Sequence, residues 1–326
     1  MLKYKQQREL ISRYLRKIFI LKEFGLRLNH AFVYLSRFQN DIEFANRIYK
    51  KYTGKRLNLN NPVTYNEKLW WLKFHYRNPL QTICCDKYRV REYVRNCGLD
   101  NILVKLYGVY ERPEEIDFAK FNREVFLKIN SGSGGNIIYD PNKPFSKFEF
   151  TIDFNARLHH NYYYNLREWP YKDVPARIVC EEVLRDSSGA LPMDYKFMCF
   201  GGKCEYLFYS GGVCDETGRH NVSGERYTNV YDMNFKYIPM NVDQPTRPDI
   251  LVKKPKTFEK MKEYAEVLSR PFPHCRVDFY SINDRVYFGE ITFYHGGGCR
   301  QFYPDEWNKK FGDLIDLAAI GKEYLI

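Results

Sequence analysis

From residue 100 onward the sequence is a succession of short apolar runs bounded by turn residues, and this texture limits the possible folds more than any other feature of the chain. The runs are Ile102–Val104, Val125–Ile129, Arg177–Leu184, Tyr195–Phe200, Lys203–Tyr209, Cys275–Tyr280 and Arg285–Phe293. Each has the length and the flanking turns of a strand. A helical pattern, Phe258–Ser269 behind Thr257 as N-cap, stands between them. A doubly wound parallel sheet would need a helix after nearly every strand. Successive strands here follow one another directly, so the expected class is α+β, built on hairpins. The 28 Tyr and 24 Phe suit an aromatic-packed sheet core.

The first third of the chain reads differently. Residues 1–56 are expected to be helical, with Leu10, Ile11, Tyr14, Ile18 and Leu21 at helical spacing and Arg13, Arg16, Lys17 and Lys22 between them. They carry 14 Lys+Arg against 4 Asp+Glu, a net +10, while the rest carries 37 against 36, a net +1. A basic arm of this kind suits an anionic surface or a solvated face packed by its apolar stripe. Asn60-Asn61-Pro62 breaks the chain. Thr64 with Glu67 three residues on is a capping-box pattern, opening a helix through Lys68, Leu69, Trp70 and Trp71. A second helix is expected from Asp86 through Val90 and Val94.

The nine Cys are odd in number and contain no C-x-x-C, which argues against a disulfide framework and a zinc site and favours a reducing cytoplasm. No apolar run reaches the roughly 18 residues of a spanning helix, and charges from Lys3 onward break any signal-peptide pattern.

Four segments carry residues suited to chemistry. In Phe126-Leu127-Lys128-Ile129-Asn130 an apolar strand containing Lys128 runs into Ser131-Gly132-Ser133-Gly134-Gly135-Asn136. Such a loop lets backbone N–H groups approach an anion, and the lysine adds a charge for phosphate. No G-K-[ST] closes it as a Walker A loop would, and neither H-R-D nor D-F-G occurs in the chain. On its own the segment could equally be a hairpin turn. Next, Arg276-Val277-Asp278 and Glu290-Ile291-Thr292 flank a turn at Ser281–Asp284. On strands, Arg276 and Asp278 share a face, as do Glu290 and Thr292. In the right register two carboxylates and an oxygen donor meet beside an arginine, a set suited to Mg²⁺ and phosphate. The alternative is a surface hairpin with cross-strand ion pairs, but Val277, Phe279, Ile291 and Phe293 look buried behind it. Third, Glu181 and Glu182 end a strand, followed by Val183 and Leu184, either as solvated edge residues or as a nucleotide-reading hinge. Fourth, Asp86-Lys87 opens a charged segment through Tyr93, which by itself reads as a capped helix start.

Taken in order, these pieces resemble the ATP-grasp superfamily. The resemblance makes Lys87 and Lys128 the two nucleotide-binding lysines, Ser131–Gly135 the phosphate loop and Glu181–Leu184 the adenine and ribose hinge. It makes Arg276 the phosphate-binding arginine and Asp278 and Glu290 Mg²⁺ ligands, with Thr292 standing where ligases of the D-alanine–D-alanine type carry Asn. Within the superfamily the chain is similar to the TupA-like branch through Asn61–Leu69, Cys85–Tyr88, Asp194-Tyr195-Lys196-Phe197, Gly289–Gly298 and Phe302–Trp307, over roughly residues 45–320. The implied organisation is a basic helical arm at 1–60, a helical lead-in and first grasp subdomain at 61–177, and a second at 178–326 carrying the Mg-ATP site. The implied activity is ligation of a carboxylate to an amine by way of an acyl phosphate, in surface polysaccharide synthesis. Asp194 and Lys196 would line the same cleft, and Arg219, Arg226 and Arg300 are candidates to grip an acyl phosphate or a uronic acid. Members of the branch are also labelled glycosyltransferases. Metal-dependent ones show Asp-x-Asp, which this chain lacks. A purely anion-binding module fits the charge-balanced core poorly. The expected partners are the carboxylate, the amine and an anionic inner-membrane face for residues 1–56, with no nucleic acid.

Overall fold

The structure, a computed structural model, describes residues 24–326 apart from 26, 29, 220, 222–225, 243 and 251. The helical pattern expected over Leu10–Leu21 lies outside these. The described residues between 24 and 35 are helical (α1), and α2 (Asp41–Thr53) follows behind an Asn40 cap. In α3 (Tyr65–His75) the expected capping box is present: Thr64 Oγ accepts from the Glu67 amide, and the Glu67 carboxylate accepts from the Thr64 amide at 2.9 Å. The helix expected from Asp86 begins later, at Val90. After α4 (Pro79–Cys85) the Asp86 carboxylate accepts from the amides of Tyr88 and Arg89 as a cap would, residues 87–89 form a turn, and α5 runs over Val90–Asn96.

A four-stranded sheet runs in the order β1 (Leu106–Tyr110), β4 (Ile178–Glu182), β2 (Val125–Ile129) and β3 (Ile137–Tyr139). No strand forms at Ile102–Val104; residues 100–102 make a 3₁₀ turn that buries Ile102, and β1 begins after it. Between β3 and β4 lie α6 (Lys147–Leu158) and α7 (Tyr163–Leu166). A six-stranded sheet takes the second half of the chain. It contains β5 (Asp194–Phe200), β6 (Lys203–Gly211), β7 (Tyr227–Asp232) and β8 (Tyr237–Ile238). After the short β9 (Asn241–Val242) and α8 (Phe258–Ser269) it is completed by β10 (His274–Ile282) and β11 (Arg285–Thr292), in the order β11-β10-β5-β6-β7-β8. Strand β12 (Phe302–Tyr303) pairs with β9, and α9 (Glu306–Asp313) follows. Every pairing in the sheets is antiparallel, as a chain of hairpins requires.

Each sheet has its own core. Leu127, Ile178 and Cys180 pack with Phe150 and Phe154 of α6 on the smaller sheet. Phe197, Val277 and Phe279 pack with Phe258 and Met261 of α8 on the larger. Tyr65, Leu69 and Leu72 of α3 join the larger core, so the helices of the lead-in build against the second sheet. The 177/178 boundary implied by the resemblance falls at the first residue of β4, which hydrogen-bonds into the smaller sheet. Among the described residues no helix is long and apolar enough to cross a membrane.

Candidate functional site

Hairpin β10–β11 supplies most of the candidate chemistry. Its two-residue turn places Asn283 and Asp284 at φ 50° and 59°, the left-handed pair that a twisted two-residue hairpin demands. The register sets Arg276 opposite Thr292 and Asp278 opposite Glu290. A bulge lies between Asp278 and Phe279, with Gly289 as the extra residue. A Cβ there would sit 3.0 Å from the Asp278 carbonyl oxygen. Val277, Phe279, Ile291 and Phe293 are buried on the core side, which leaves the polar set together on the other face.

On that face Arg276 donates to both Asp278 oxygens, at 2.7 and 2.6 Å, and to Glu290 Oε1 at 3.2 Å. Thr292 Oγ1 donates to the same Glu290 oxygen at 3.0 Å. The neighbouring strand β5 brings Lys196 opposite Asp278, and Lys196 Nζ lies 3.7 Å from the Asp194 carboxylate. From the turn after Asp86, Lys87 reaches in with Nζ 3.9 Å from Glu290 Oε2, while it also donates to the Gly132 carbonyl. The Lys87 amide is bonded to the Asn130 carbonyl at 3.0 Å. Lys87 therefore ties the glycine loop of one sheet to the hairpin of the other.

The two carboxyls are driven in opposite directions. Burial pushes Asp278 up to about 6 against the pull of Arg276 and Lys196. Enclosure alone would raise Glu290 too, but Lys87, Arg276 and Lys196, with the Thr292 hydroxyl, hold it down at about 2. Its side chain is 40 % exposed, against 5 % for Asp278. Burial lowers the Lys87 ammonium, and the nearby Lys128 charge adds to that, with Glu290 opposing.

Lys128 belongs to a second ionic cluster on the smaller sheet. Its Nζ lies 2.5 Å from Glu181 Oε2, and Arg91 donates to Glu181 Oε1 at 3.2 Å. Glu181 is thus a buried counter-ion between two cations, a place its sequence position at a strand end does not reveal. Glu182 closes β4 with its amide bonded to the Lys105 carbonyl at 2.9 Å, and Val183 and Leu184 lead out of the sheet half-buried. In the loop from Ser131 through Ser133 to Gly135, Gly132, Gly134 and Gly135 take φ 85°, 81° and 75°. A side chain at Gly132 would run into the Tyr162 ring and one at Gly135 into Arg157, so the loop is held close beneath both.

The candidates fall into three groups. Lys87, Lys196, Arg276, Asp278, Glu290 and Thr292, with Asp194 beside Lys196, share one ionic centre. Lys128 and Glu181 face it from the other sheet, linked by Lys87. Of the proposed gripping arginines, Arg300 has its amide on Asn66 Oδ1 at 3.2 Å and its charge beside His295. Arg226 lies near Cys214, with Asp194 and Lys196 in the same field. The Arg219 amide closes a turn on Asp215 at 3.2 Å. The sequence reading missed Arg91, Glu168 and His295. Burial pushes the Glu168 carboxyl up to about 7, with Lys73 opposing and Glu290 reinforcing. His295 is buried with Nδ1 unpartnered among the described residues. Nothing in a lone Glu or an H-G-G-G run signals such placement.

The donor set fits Mg²⁺, which takes one or two carboxylates and fills its shell with water and substrate phosphates. Asp278 and Glu290 are the carboxylates placed to serve in that way, and the Thr292 hydroxyl lies beside Glu290. Among the described residues no group of three or more His, Cys, Asp or Glu converges, so the protein would supply only part of a shell.

Comparison with known proteins yields one family match, to the TupA-like ATP-grasp family, over residues 67–316. No curated protein matches the chain. Solved structures similar to it include an L-amino acid ligase from Bacillus licheniformis, 12 % identical over 71 % of this chain and 48 % of that one, with a TM-score of 0.42. A D-alanine–D-alanine ligase from Helicobacter pylori is 12 % identical over 80 % and 69 %, with a TM-score of 0.42. A Bacillus anthracis D-alanine–D-alanine ligase complexed with ATP is 13 % identical over 65 % and 56 %, with a TM-score of 0.37. The chain spans 46–63 % of the length of the first solved structures it matches. The assignment rests on the family match, which takes in more than half of the chain: it belongs to the TupA-like ATP-grasp family.

Proposed function

We propose that this chain is an ATP-dependent ligase that joins a carboxylate to an amine, releasing ADP and phosphate. The observation that carries the reading is the meeting of Lys87, Lys196 and Arg276 around Asp278 and Glu290, faced by Lys128 from the other sheet. Three cations around two carboxylates make a site for a polyanion that arrives with its own metal. Lys128 and Lys87 hold phosphate oxygens beside the Ser131–Gly135 loop, and Arg276 takes charge on the transferring group. Mg²⁺, held by Asp278 and Glu290 with Thr292 beside them, neutralises phosphate charge when bound. The Glu181–Leu184 segment reads the base and ribose. A substrate carboxylate oxygen then attacks the γ-phosphorus, and the bond to the β–γ bridging oxygen breaks. The amine next attacks the acyl carbon, phosphate leaves, and the amine gives up a proton. The protein contributes mostly position and preorganised charge. Arg219, Arg226 and Arg300 grip the acyl phosphate or a sugar acid, the carboxylate being a sugar acid of surface polysaccharide synthesis. The basic arm, residues 1–56, sets the enzyme against an anionic membrane face.

Screening acid–amine pairs for ADP release tests the reading. Glu290→Gln is expected to abolish ADP release, with the thermal midpoint kept within a few degrees. Release that survives the substitution would remove Glu290 from the site. Transfer from a UDP-sugar without ADP formation would replace the ligase by a glycosyltransferase.

A further inference from the structure

Helix α1 has two faces. One packs on the domain: His30 stacks on His160 with ring centroids 3.9 Å apart. Val33 and Tyr34 meet Ala156 and Tyr164 around a cavity of about 400 Å³. At its far end the buried Arg167 guanidinium donates to the Ser36 carbonyl at 2.5 Å, to Ser36 Oγ at 3.1 Å and to Asp41 of α2 at 2.6 Å. The helix therefore has a fixed orientation.

The opposite face is apolar and open to solvent. Phe24, Leu28, Phe32 and Leu35 are 62, 40, 67 and 54 % exposed, and Phe38 beyond them is 73 % exposed. At about 100° per residue the first four fall within an arc of about 80°, a continuous stripe on one side of the helix. Large contiguous apolar surface of this kind marks a contact site. Its setting is cationic. Arg27 is exposed at the border between the two faces, where it also lines that cavity, and the Arg37 guanidinium lies 4.1 and 4.6 Å over the Tyr34 and Phe38 rings. Arg47 of α2 donates to Gln39 Oε1 at 2.7 Å, next to Phe38, and Lys50 and Lys51 are exposed further along α2, with Glu43 the exposed acid near its start. In the sequence the same three-and-four spacing extends back through Leu21, Ile18, Tyr14 and Leu10.

We propose that the Phe24–Leu28–Phe32–Leu35–Phe38 stripe is the docking face for an anionic lipid surface. It deepens the membrane contact assigned above to the arm, and rests on that reading alone, not on the chemistry. The aromatic and leucine side chains enter the boundary between headgroups and acyl chains, while Arg27, Arg37 and the α2 cations face lipid phosphates. The charge favours lipid over a second copy, because pairing two stripes would bring together two arms of net +10 each.

The test is flotation of the full chain with vesicles of phosphatidylcholine, with and without phosphatidylglycerol. Capture by the anionic vesicles is expected, weaker by at least about tenfold on phosphatidylcholine alone. Phe32→Asp with Phe38→Asp is expected to lower capture by at least about tenfold while the ATP-induced thermal shift is unchanged. Failure of the wild-type chain to bind anionic vesicles would overturn the stripe and the arm reading together. Capture undiminished in the double variant would overturn the stripe alone. A solution dimer that the double variant converts to monomer would give the stripe to a second copy and overturn the proposal.

Discussion

Buried titratable groups decide how this chain responds to pH. His274 shows the effect most simply. It sits in the larger core with Nδ1 2.8 Å from the Cys199 carbonyl and Nε2 2.9 Å from the Tyr65 hydroxyl, so the neutral ring is satisfied on both sides. Burial lowers it from 6.5 to about 3, with the Arg276 charge adding to that. A depressed histidine stabilises the fold above its unfolded value, and that stability is lost as pH falls from about 6.5 toward 3, because only the unfolded ring takes the proton. At pH 5 the loss is about 2 kcal/mol from this residue. Denaturant unfolding at pH 7 and pH 5 should therefore show a larger acid loss in the wild type than in His274→Gln, by about that amount. Equal losses would contradict the assignment. The sequence showed only a His beside a strand. Its burial and its two partners, 75 and 209 residues away, depend on tertiary contacts no local pattern encodes.

Elements were legible where a single local rule dominates. Val125–Ile129 and Phe258–Ser269 have their expected bounds, the first as a short apolar run between turns and the second as a helical pattern. At Asp86 the expected start was early: its carboxylate accepts from the amides of Tyr88 and Arg89, but residues 87–89 are a turn and the helix proper begins at Val90. Thr257 precedes α8 yet makes no side-chain cap, because its hydroxyl bonds Ser281 of β10 at 2.7 Å instead. Thr64 does cap its helix. Thr64→Ala should cost about 1 kcal/mol, read as a lower denaturation midpoint with unchanged slope. An unchanged midpoint would show that α3 is held by packing alone. The hairpin was readable from its turn residues, whereas the Asp278–Glu290 pairing was not: the two-residue turn alone would set Asp278 opposite Gly289, and only the bulge at Gly289 brings it opposite Glu290, an inserted residue of which an i, i+2 pattern carries no trace. Gly289→Ala presses a Cβ on the Asp278 carbonyl and should lower nucleotide affinity by about tenfold while the fold persists. Affinity equal to wild type would mean the bulge does not position Asp278.

On the scale of the whole molecule, the family lay in the order of the motifs along the chain, while the division of labour between the sheets did not. β4 hydrogen-bonds between β1 and β2, and α3 packs under the other sheet, so the chain crosses between its two cores more often than a linear division implies. The candidate site lies at that crossing, with Lys87 bonded to the glycine loop on one side and 3.9 Å from Glu290 on the other. A nucleotide spanning both sheets would cross-link them, so its binding should stabilise the entire chain. Melting the protein with and without Mg-ATP tests this most directly. At about a hundred times its dissociation constant, the nucleotide should add about 2.7 kcal/mol and raise the midpoint by several degrees, and Lys128→Ala should remove most of the rise. No rise with Mg-ATP, or a rise only with UDP-sugars, would contradict the proposal that ATP binds across the two sheets.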